Sequence, residues 1–315
     1  MRLVFMGTPD FAVASLEALL QSDDSVVGVV TQPDRPKGRG QILTPSPVKL
    51  LAQRAHIPLL QPLKMKDPEF IQTLADWKPD FIAVTAFGRI LPPAILSLPP
   101  RGCINVHGSL LPKYRGAGPI QWAIINGEMA TGITTMLMDE GMDTGAMLLQ
   151  EAIPITPEDT AGTLSLRLAE LGGRLLVETI ARLKAGTLVS RSQDSSQATM
   201  APLLKKEDGV IDWTLPATAL ASRVRGLAPW PGAYTAVPGG DRWTIWRAQA
   251  LPGSASKPPG AVVAVTTEAI HVATGEGLLA LLELQPANSR RMAVSQYLAG
   301  HPIAVGLQLG GPVPS

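Results

Sequence analysis

LVFMGTPDFAVASLEALLQSDDSVVGVVT, residues 3–31, reads as strand, turn, helix and second strand. LVFMG (3–7) is a short apolar run closed by glycine, and VVGVVT (26–31) is a second β-rich run. Between them, FAVASLEALLQS (11–22) places Phe11, Leu16, Leu19 and Leu20 at helical spacing. The GTPD step after the first run is a tight strand–helix turn, because the G-x-G-x-x-G spacing of a dinucleotide site is absent. The same alternation continues outward. Helical patterns cover Pro45 to His56, Asp67 to Trp77, Pro119 to Asn126 and Thr160 to Lys184. Strand-like runs cover FIAVTA (81–86), GCINVHGS (102–109) and GITTMLM (132–138). Apolar strands alternating with helices imply an α/β fold, a Rossmann-like parallel sheet with helices on its faces. Sites in such sheets form at the carboxyl ends of the strands.

The texture changes near residue 187. SRSQDSSQ (190–197) and APLLKKEDG (201–209) have little periodicity and read as a linker over 189–206. Beyond it, WPGAYTAVPGG, RWTIWRAQAL, GAVVAVT, AIHVATGEG and LLALLELQ are short strands separated by Pro and Gly. They suggest a small, OB-like β-barrel or a sandwich over 207–315, with 1–188 as the larger domain. Trp213, Trp230, Trp243 and Trp246 are expected in its core or rim. A length of 315 residues suits about two domains.

Composition excludes several classes. At 17% charged and 45% hydrophobic residues the chain is globular. Its net charge of +1 means that any nucleic-acid surface must come from local clustering. A single cysteine, Cys103, rules out a disulfide framework and fits a reducing compartment. His56, His271 and His301 are isolated, with no H-x-x-x-H or C-x-x-C pairing, so no metal is expected. No targeting segment and no apolar run of membrane-spanning length is visible, so the expectation is a soluble, cytoplasmic protein.

The stretch richest in chemistry runs from Cys103 to Gly145. Asn105 and His107 stand two apart on a strand, so they share a face. An amide beside an imidazole at a strand's carboxyl end could hold a developing oxyanion. Asp143, in a Gly-bracketed loop after the next strand, could orient His107 and relay protons. On spacing alone, the three suit either this chemistry or a structural histidine, a capping asparagine and a turn aspartate. Arg35, Lys37 and Arg39 form a compact cation cluster on a Gly/Pro-flexed loop; composition alone also reads it as a solvated basic turn.

INVHGSLLPKYRGAGPIQWAI with MDEGMDTGAML closely resembles the formyltransferases that use 10-formyltetrahydrofolate. The resemblance implies that Asn105, His107 and Asp143 are the catalytic set. It implies that Ser109, Leu110, Leu111 and Pro112 contact the folate co-substrate, and that Phe87, Gly88, Ile90 and Leu91 of AFGRILP (86–92) line its pterin pocket. No bound cofactor is implied. TQPDRPKGRG…PSPVK (31–49) resembles the inserted loop of the members that formylate initiator methionyl-tRNA. That likeness implies that Arg35, Lys37 and above all Arg39 engage the acceptor arm, from a loop mobile without RNA. KKEDGVIDW (205–213) and LAPWPGAY (227–234) resemble the start of the appended C-terminal tRNA-docking domain of those members. Its balance here is only slightly basic, nine Lys or Arg against seven Asp or Glu from Lys205 onward. Expected partners are therefore tRNA and folate, with the protein acting as a monomer and away from membranes. The competing readings are another acceptor (glycinamide ribonucleotide, an amino-sugar nucleotide or water) and a non-catalytic tRNA- or folate-binding module.

Overall fold

The computed structural model describes residues 1–37, 40, 42–239, 241–253 and 257–311. The chain begins with β1 (Arg2–Gly7), α1 (Asp10–Leu20), β2 (Ser25–Val30), β3 (Arg35–Lys37), β4 (Ile42–Thr44) and α2 (Pro47–Arg54). Then come β5 (Leu59–Leu60), α3 (Pro68–Asp76), β6 (Phe81–Thr85), α4 (Pro93–Leu96) and β7 (Cys103–His107). Next are α5 (Pro119–Ile125), β8 (Ala130–Leu137), β9 (Met147–Pro154) and α6 (Ala161–Lys184). The chain divides into two compact units: Met1–Pro119 with Ala130–Pro154 and Ser165–Pro202, and Ile120–Met129 with Ile155–Leu164 and Leu203–Ser315.

Local chemistry sets several element starts. Ser46 accepts from the Lys49 N–H and Pro47 opens α2; Asp67 accepts from the Glu69 N–H and Pro68 opens α3. Both pairs combine a side-chain cap with a proline whose missing N–H costs nothing at that position.

The first unit holds a seven-stranded sheet in the order β5-β2-β1-β6-β7-β8-β9. The first five strands pair in parallel, as the alternation implies. The last two are antiparallel, so the sheet is mixed. β8 and β9 form a hairpin, and β9 was not visible as a strand in the sequence. It is an edge strand whose burial alternates, so it lacks the apolar run that marks the central strands. Leu3, Val4, Phe5 and Met6 of β1 are fully buried. Val4, Met6, Val30, Ile82, Val84 and Cys103 form one core face with Phe70, Leu74 and Phe87. Gly172 and Gly173 let α6 come close. A Cβ on Gly172 would stand 3.0 Å from Val106, and one on Gly173 would stand 2.7 Å from the Ala14 carbonyl of α1.

Burial pushes the Cys103 thiol up to about 12. A raised value keeps the thiol protonated, and the thiolate is the nucleophile. A maleimide at pH 8 is therefore expected to leave the native protein unlabelled and to label one site after denaturation. Stoichiometric labelling of the folded chain by mass spectrometry would contradict this burial.

The stretch 31–49 contains the antiparallel pair β3–β4, with Arg35 opposite Thr44 and Lys37 opposite Ile42. Arg39 lies outside the described residues. The non-periodic segment 189–206 is, for its first part, hydrogen-bonded into the first unit. Met147 and Arg191 exchange backbone hydrogen bonds of 2.8 Å, and Ala201 N–H donates to the Arg115 carbonyl at 2.7 Å.

The second unit adds α7 (Ala217–Gly226), β10 (Ala233–Val237), β11 (Asp241–Leu251), β12 (Val262–Val265), β13 (Ile270–Ala273), β14 (Leu278–Pro286), β15 (Met292–Ala293) and α8 (Val294–Leu298). Its antiparallel sheet runs β10-β11-β14-β13-β12, with β15 on β14. Trp213 and Trp243 are in its core, Trp246 is half-buried and Trp230 is exposed. The buried Trp213 indole N–H donates to Thr235 Oγ1, which satisfies the polar end of that side chain.

Candidate active site

β7 carries Asn105 and His107 on the face shared with Cys103 and, across the sheet, Val84. His107 is its last residue and is buried. The loop that follows is held from below. Thr134 Oγ1 donates to the Ser109 carbonyl at 2.7 Å and accepts from the Leu111 N–H at 3.1 Å. Gln150 Nε2 donates to the Leu111 carbonyl, and Ser109 Oγ donates to the Lys113 carbonyl at 2.6 Å. So held, the loop brings the Tyr114 carbonyl to 2.9 Å from His107 Nε2. A carbonyl only accepts, so Nε2 carries the hydrogen and Nδ1 faces the other way.

What Nδ1 faces is Asp143, whose Oδ2 lies 3.6 Å away. β8 runs antiparallel, with Leu137 opposite Ile104 and Thr134 opposite His107. The end of β8 therefore lies three β7 residues, roughly 10 Å, from His107. The 138–146 loop doubles back along the sheet to return Asp143 to it. Asp143 adopts a left-handed φ of 53°, and its Oδ2 accepts from the Gly116 N–H at 2.8 Å. Asp139 fastens the other side of this loop, accepting from the Gly141 N–H and from Thr144 Oγ1. Asn105 is half-buried, and its carboxamide has no hydrogen bond among the described residues. The arrangement thus offers a free amide donor, an imidazole with one nitrogen anchored, and a carboxylate against the other nitrogen. The amide, and the imidazole when both its nitrogens carry hydrogen, can donate to an oxyanion in acyl transfer, and the carboxylate can support that imidazolium.

The remaining sequence-predicted residues divide. Phe87 and Leu91 are core residues, while Gly88 and Ile90 are exposed. The Phe87 carbonyl accepts from Thr8 Oγ1 and from Gln32 Nε2. Ser109 and Leu111 are buried, and Leu110 and Pro112 are half-buried. The 86–92 and 109–112 segments follow the neighbouring parallel strands β6 and β7 and so share one sheet edge. Arg35 is exposed, and its Nη2 donates to Gln32 Oε1 at 2.6 Å. A cavity of about 420 Å³ opens beside it, lined by Thr8, Gln32, Arg35, Ser46, Ala86 and Gly88 among others. Lys49 Nζ and Gln61 Nε2 both bond Asp34, and the Lys49 contact holds that half-buried carboxyl below the usual carboxylate range. Sequence reasoning missed Gln193 and Arg115, which the structure places directly behind Asp143. No cluster of three His, Cys, Asp or Glu suited to a metal occurs among the described residues.

Residues 1–180 match the formyl transferase family model, and 203–302 match the model of its C-terminal domain. A methionyl-tRNA formyltransferase of Trichlorobacter lovleyi is 51% identical over 98% of this chain and 96% of its own length. The chain belongs to the methionyl-tRNA formyltransferase family. A second member, from Desulfotalea psychrophila, is 53% identical over 95% of this chain and 93% of its own. Among solved structures, an N-formyltransferase from Helicobacter canadensis, in complex with folinic acid and dTDP-3-aminofucose, superposes with a TM-score of 0.67 at 18% identity. It covers 92% of this chain and 99% of that one. Aquifex aeolicus HypX in complex with tetrahydrofolic acid gives a TM-score of 0.60 at 18% identity, over 95% of this chain and 47% of that one. At such identities these two speak for the fold, which is that of the formyltransferase family at both ends of the chain.

Proposed function

We propose that this protein transfers the formyl group of 10-formyltetrahydrofolate to the α-amine of methionine on initiator methionyl-tRNA, in the cytoplasm and as a monomer. The observation that carries the reading is the pairing of His107 with Asp143, together with the amide of Asn105, which has no hydrogen-bond partner among the described residues. Full-length relatives of that name support the choice of acceptor.

The neutral amine attacks the formyl carbon, forming a C–N bond and a tetrahedral oxyanion. Asn105 donates one hydrogen bond to that oxygen. His107, whose Nε2–H is tied to Tyr114, donates the other from Nδ1 in its imidazolium form, with the Asp143 carboxylate 3.6 Å from that nitrogen as its counter-charge. Asp143, directly or through water, takes the proton lost by the amine. Collapse breaks the bond from the formyl carbon to N10, and that nitrogen receives the proton. The folate segments are 86–92, with Phe87, Gly88, Ile90 and Leu91, and 109–112, with Ser109 to Pro112. Their shared sheet edge supports this role. The exposed Ile90 is available to a ligand, whereas Phe87 and Leu91 act as the floor beneath it. The proof is direct: purified protein, given the formyl donor, formylates methionyl-tRNA and not glycinamide ribonucleotide. Formylation of the ribonucleotide alone would overturn the acceptor.

Arg35, Lys37 and Arg39 engage the acceptor arm, and the second unit docks the tRNA body. On that unit Arg242 lies 4.8 Å over the Tyr234 ring and Arg291 lies 5.0 Å over Trp246, pairs suited to stacking on RNA. Arg39→Ala is expected to lower kcat/KM for methionyl-tRNA with the folate KM almost unchanged. A planar guanidinium that pairs bidentately or stacks is not replaced by an ammonium, so Arg39→Lys should not rescue. Equal kcat/KM for tRNA in wild type and Arg39→Ala, measured across a salt series, would end this assignment.

A further inference from the structure

We propose that Gln193 is a positioning residue for the reaction, holding the Asp143 loop against His107 with Arg115 behind it. The inference rests on the reading of Asp143 given above. Gln193 lies in a stretch without periodicity, but its place is not arbitrary. Two residues earlier, Arg191 pairs backbone to backbone with Met147, at the base of the Asp143 loop. Six residues later, Thr199 accepts from the Arg115 N–H through its carbonyl and from the Tyr114 N–H through Oγ1. The segment therefore straps together the two loops that meet at His107.

Within the strap, the Gln193 carboxamide uses its full capacity. Nε2 donates to the carbonyls of Asp143 and Gly145, each at 2.8 Å. Oε1 accepts from Arg115 Nε at 3.1 Å and Nη2 at 2.8 Å. Carbonyls only accept and a guanidinium only donates, so no other orientation of the amide satisfies this site. Arg115 is itself buried. Its neighbour Gly116 binds the Asp143 carboxylate through N–H, and Tyr114, on its other side, binds His107. A closed ring results: Asp143 carboxylate, Gly116, Arg115, Gln193, Asp143 carbonyl. Asp143 sits at a φ of 53°, in the left-handed region that a non-glycine residue keeps only when its surroundings impose it. The ring holds this aspartate at both its main chain and its side chain. Gln193 does not reach the reacting atoms; it acts through Asp143.

Gln193→Glu separates the two halves of this role. It is nearly isosteric and keeps the acceptor for Arg115, but it turns a carboxylate oxygen toward two carbonyls. Small misplacements of a reacting group cost large factors in turnover. In the full-length protein, Gln193→Glu is expected to lower kcat by about tenfold or more, with the KM values for 10-formyltetrahydrofolate and methionyl-tRNA within about twofold. In an Asp143→Ala background the same change is expected to have no further effect on kcat, because the group it positions is gone. Gln193→Ala, which adds no charge, serves the same cycle if the glutamate variant folds poorly by circular dichroism. An unchanged kcat in both variants beside an impaired Asp143→Ala overturns the proposal. So does an equal loss from Gln193→Glu with and without Asp143, the mark of a general structural role. Wild-type turnover in Asp143→Ala alone is a different result and removes the underlying reading of the site.

Discussion

Turnover of the His107→Ala and Asp143→Ala proteins is expected to fall by at least ~100-fold, with tRNA affinity little changed. Removing one preorganised donor to a developing oxyanion typically costs about 100- to 1,000-fold. Two features of this site place it within that range. His107 is buried with its Nε2 fixed to the Tyr114 carbonyl, so its ring cannot turn to find another partner. Asp143 is the carboxylate on its Nδ1 side, at 3.6 Å. Asp143→Asn is informative because its side-chain oxygen can still accept from the Gly116 N–H while the charge is lost. If Asp143 served only to hold the loop, the asparagine protein would keep near-normal turnover. If it takes the proton, asparagine should be almost as poor as alanine. Asn105→Ala should lose less, since His107 and the Asp143 carboxylate beside it both remain. Single-turnover formylation at saturating co-substrates reads the chemical step directly, and thermal unfolding controls for the partner left behind at Tyr114. Wild-type-like turnover in His107→Ala would end the role given to that residue.

The sequence made this pair findable but not its geometry. β7 reads as a strand because Cys103 to Val106 are apolar around one polar position, and period two then places Asn105 and His107 together. Four of the five parallel strands, β1, β2, β6 and β7, are legible as apolar runs; β5 is not, because it is only the two half-buried residues Leu59–Leu60. The reversal at β8 was not, since strand direction leaves no mark in a buried run. β9 was missed because an edge strand facing solvent looks like loop in a periodicity reading. Gln193 was invisible for another reason. Its partners are Arg115, Asp143 and Gly145, separated from it by 48 to 78 positions, and nothing in SRSQDSSQ distinguishes an amide bonded to protein from a solvated one. The Met147–Arg191 bridge that delivers it exists only once the sheet has formed. The family resemblance implies roles for Asn105, His107 and Asp143; it points to none of the residues that hold them.

Gly145→Ala should be nearly as damaging as loss of Asp143 itself, although it adds only a methyl group two residues away. A Cβ on Gly145 would stand 1.8 Å from the Leu137 carbonyl oxygen and 2.9 Å from its carbon. That neighbour is backbone and belongs to the closing pair of the hairpin, where the Leu137 N–H donates to the Ala146 carbonyl at 2.9 Å. No rotamer change relieves such a clash, so either the Leu137–Ala146 pair opens or the loop moves outward. Both shifts pull the Gly145 carbonyl from Gln193 Nε2 and carry Asp143 away from His107. A displacement of about 1 Å at a reacting group costs on the order of 100-fold. The expected kcat is therefore lowered about 100-fold, with the folate and tRNA KM values changing far less. Gly300→Ala is the control, because a Cβ there meets nothing within 4 Å, and it should leave turnover unchanged. The strain is local, so hydrogen exchange should rise across 138–146 and not in the central strands β1 and β6. Full activity in Gly145→Ala would mean that the carboxylate reaches its working position from more than one loop geometry, and would rule out a single fixed loop.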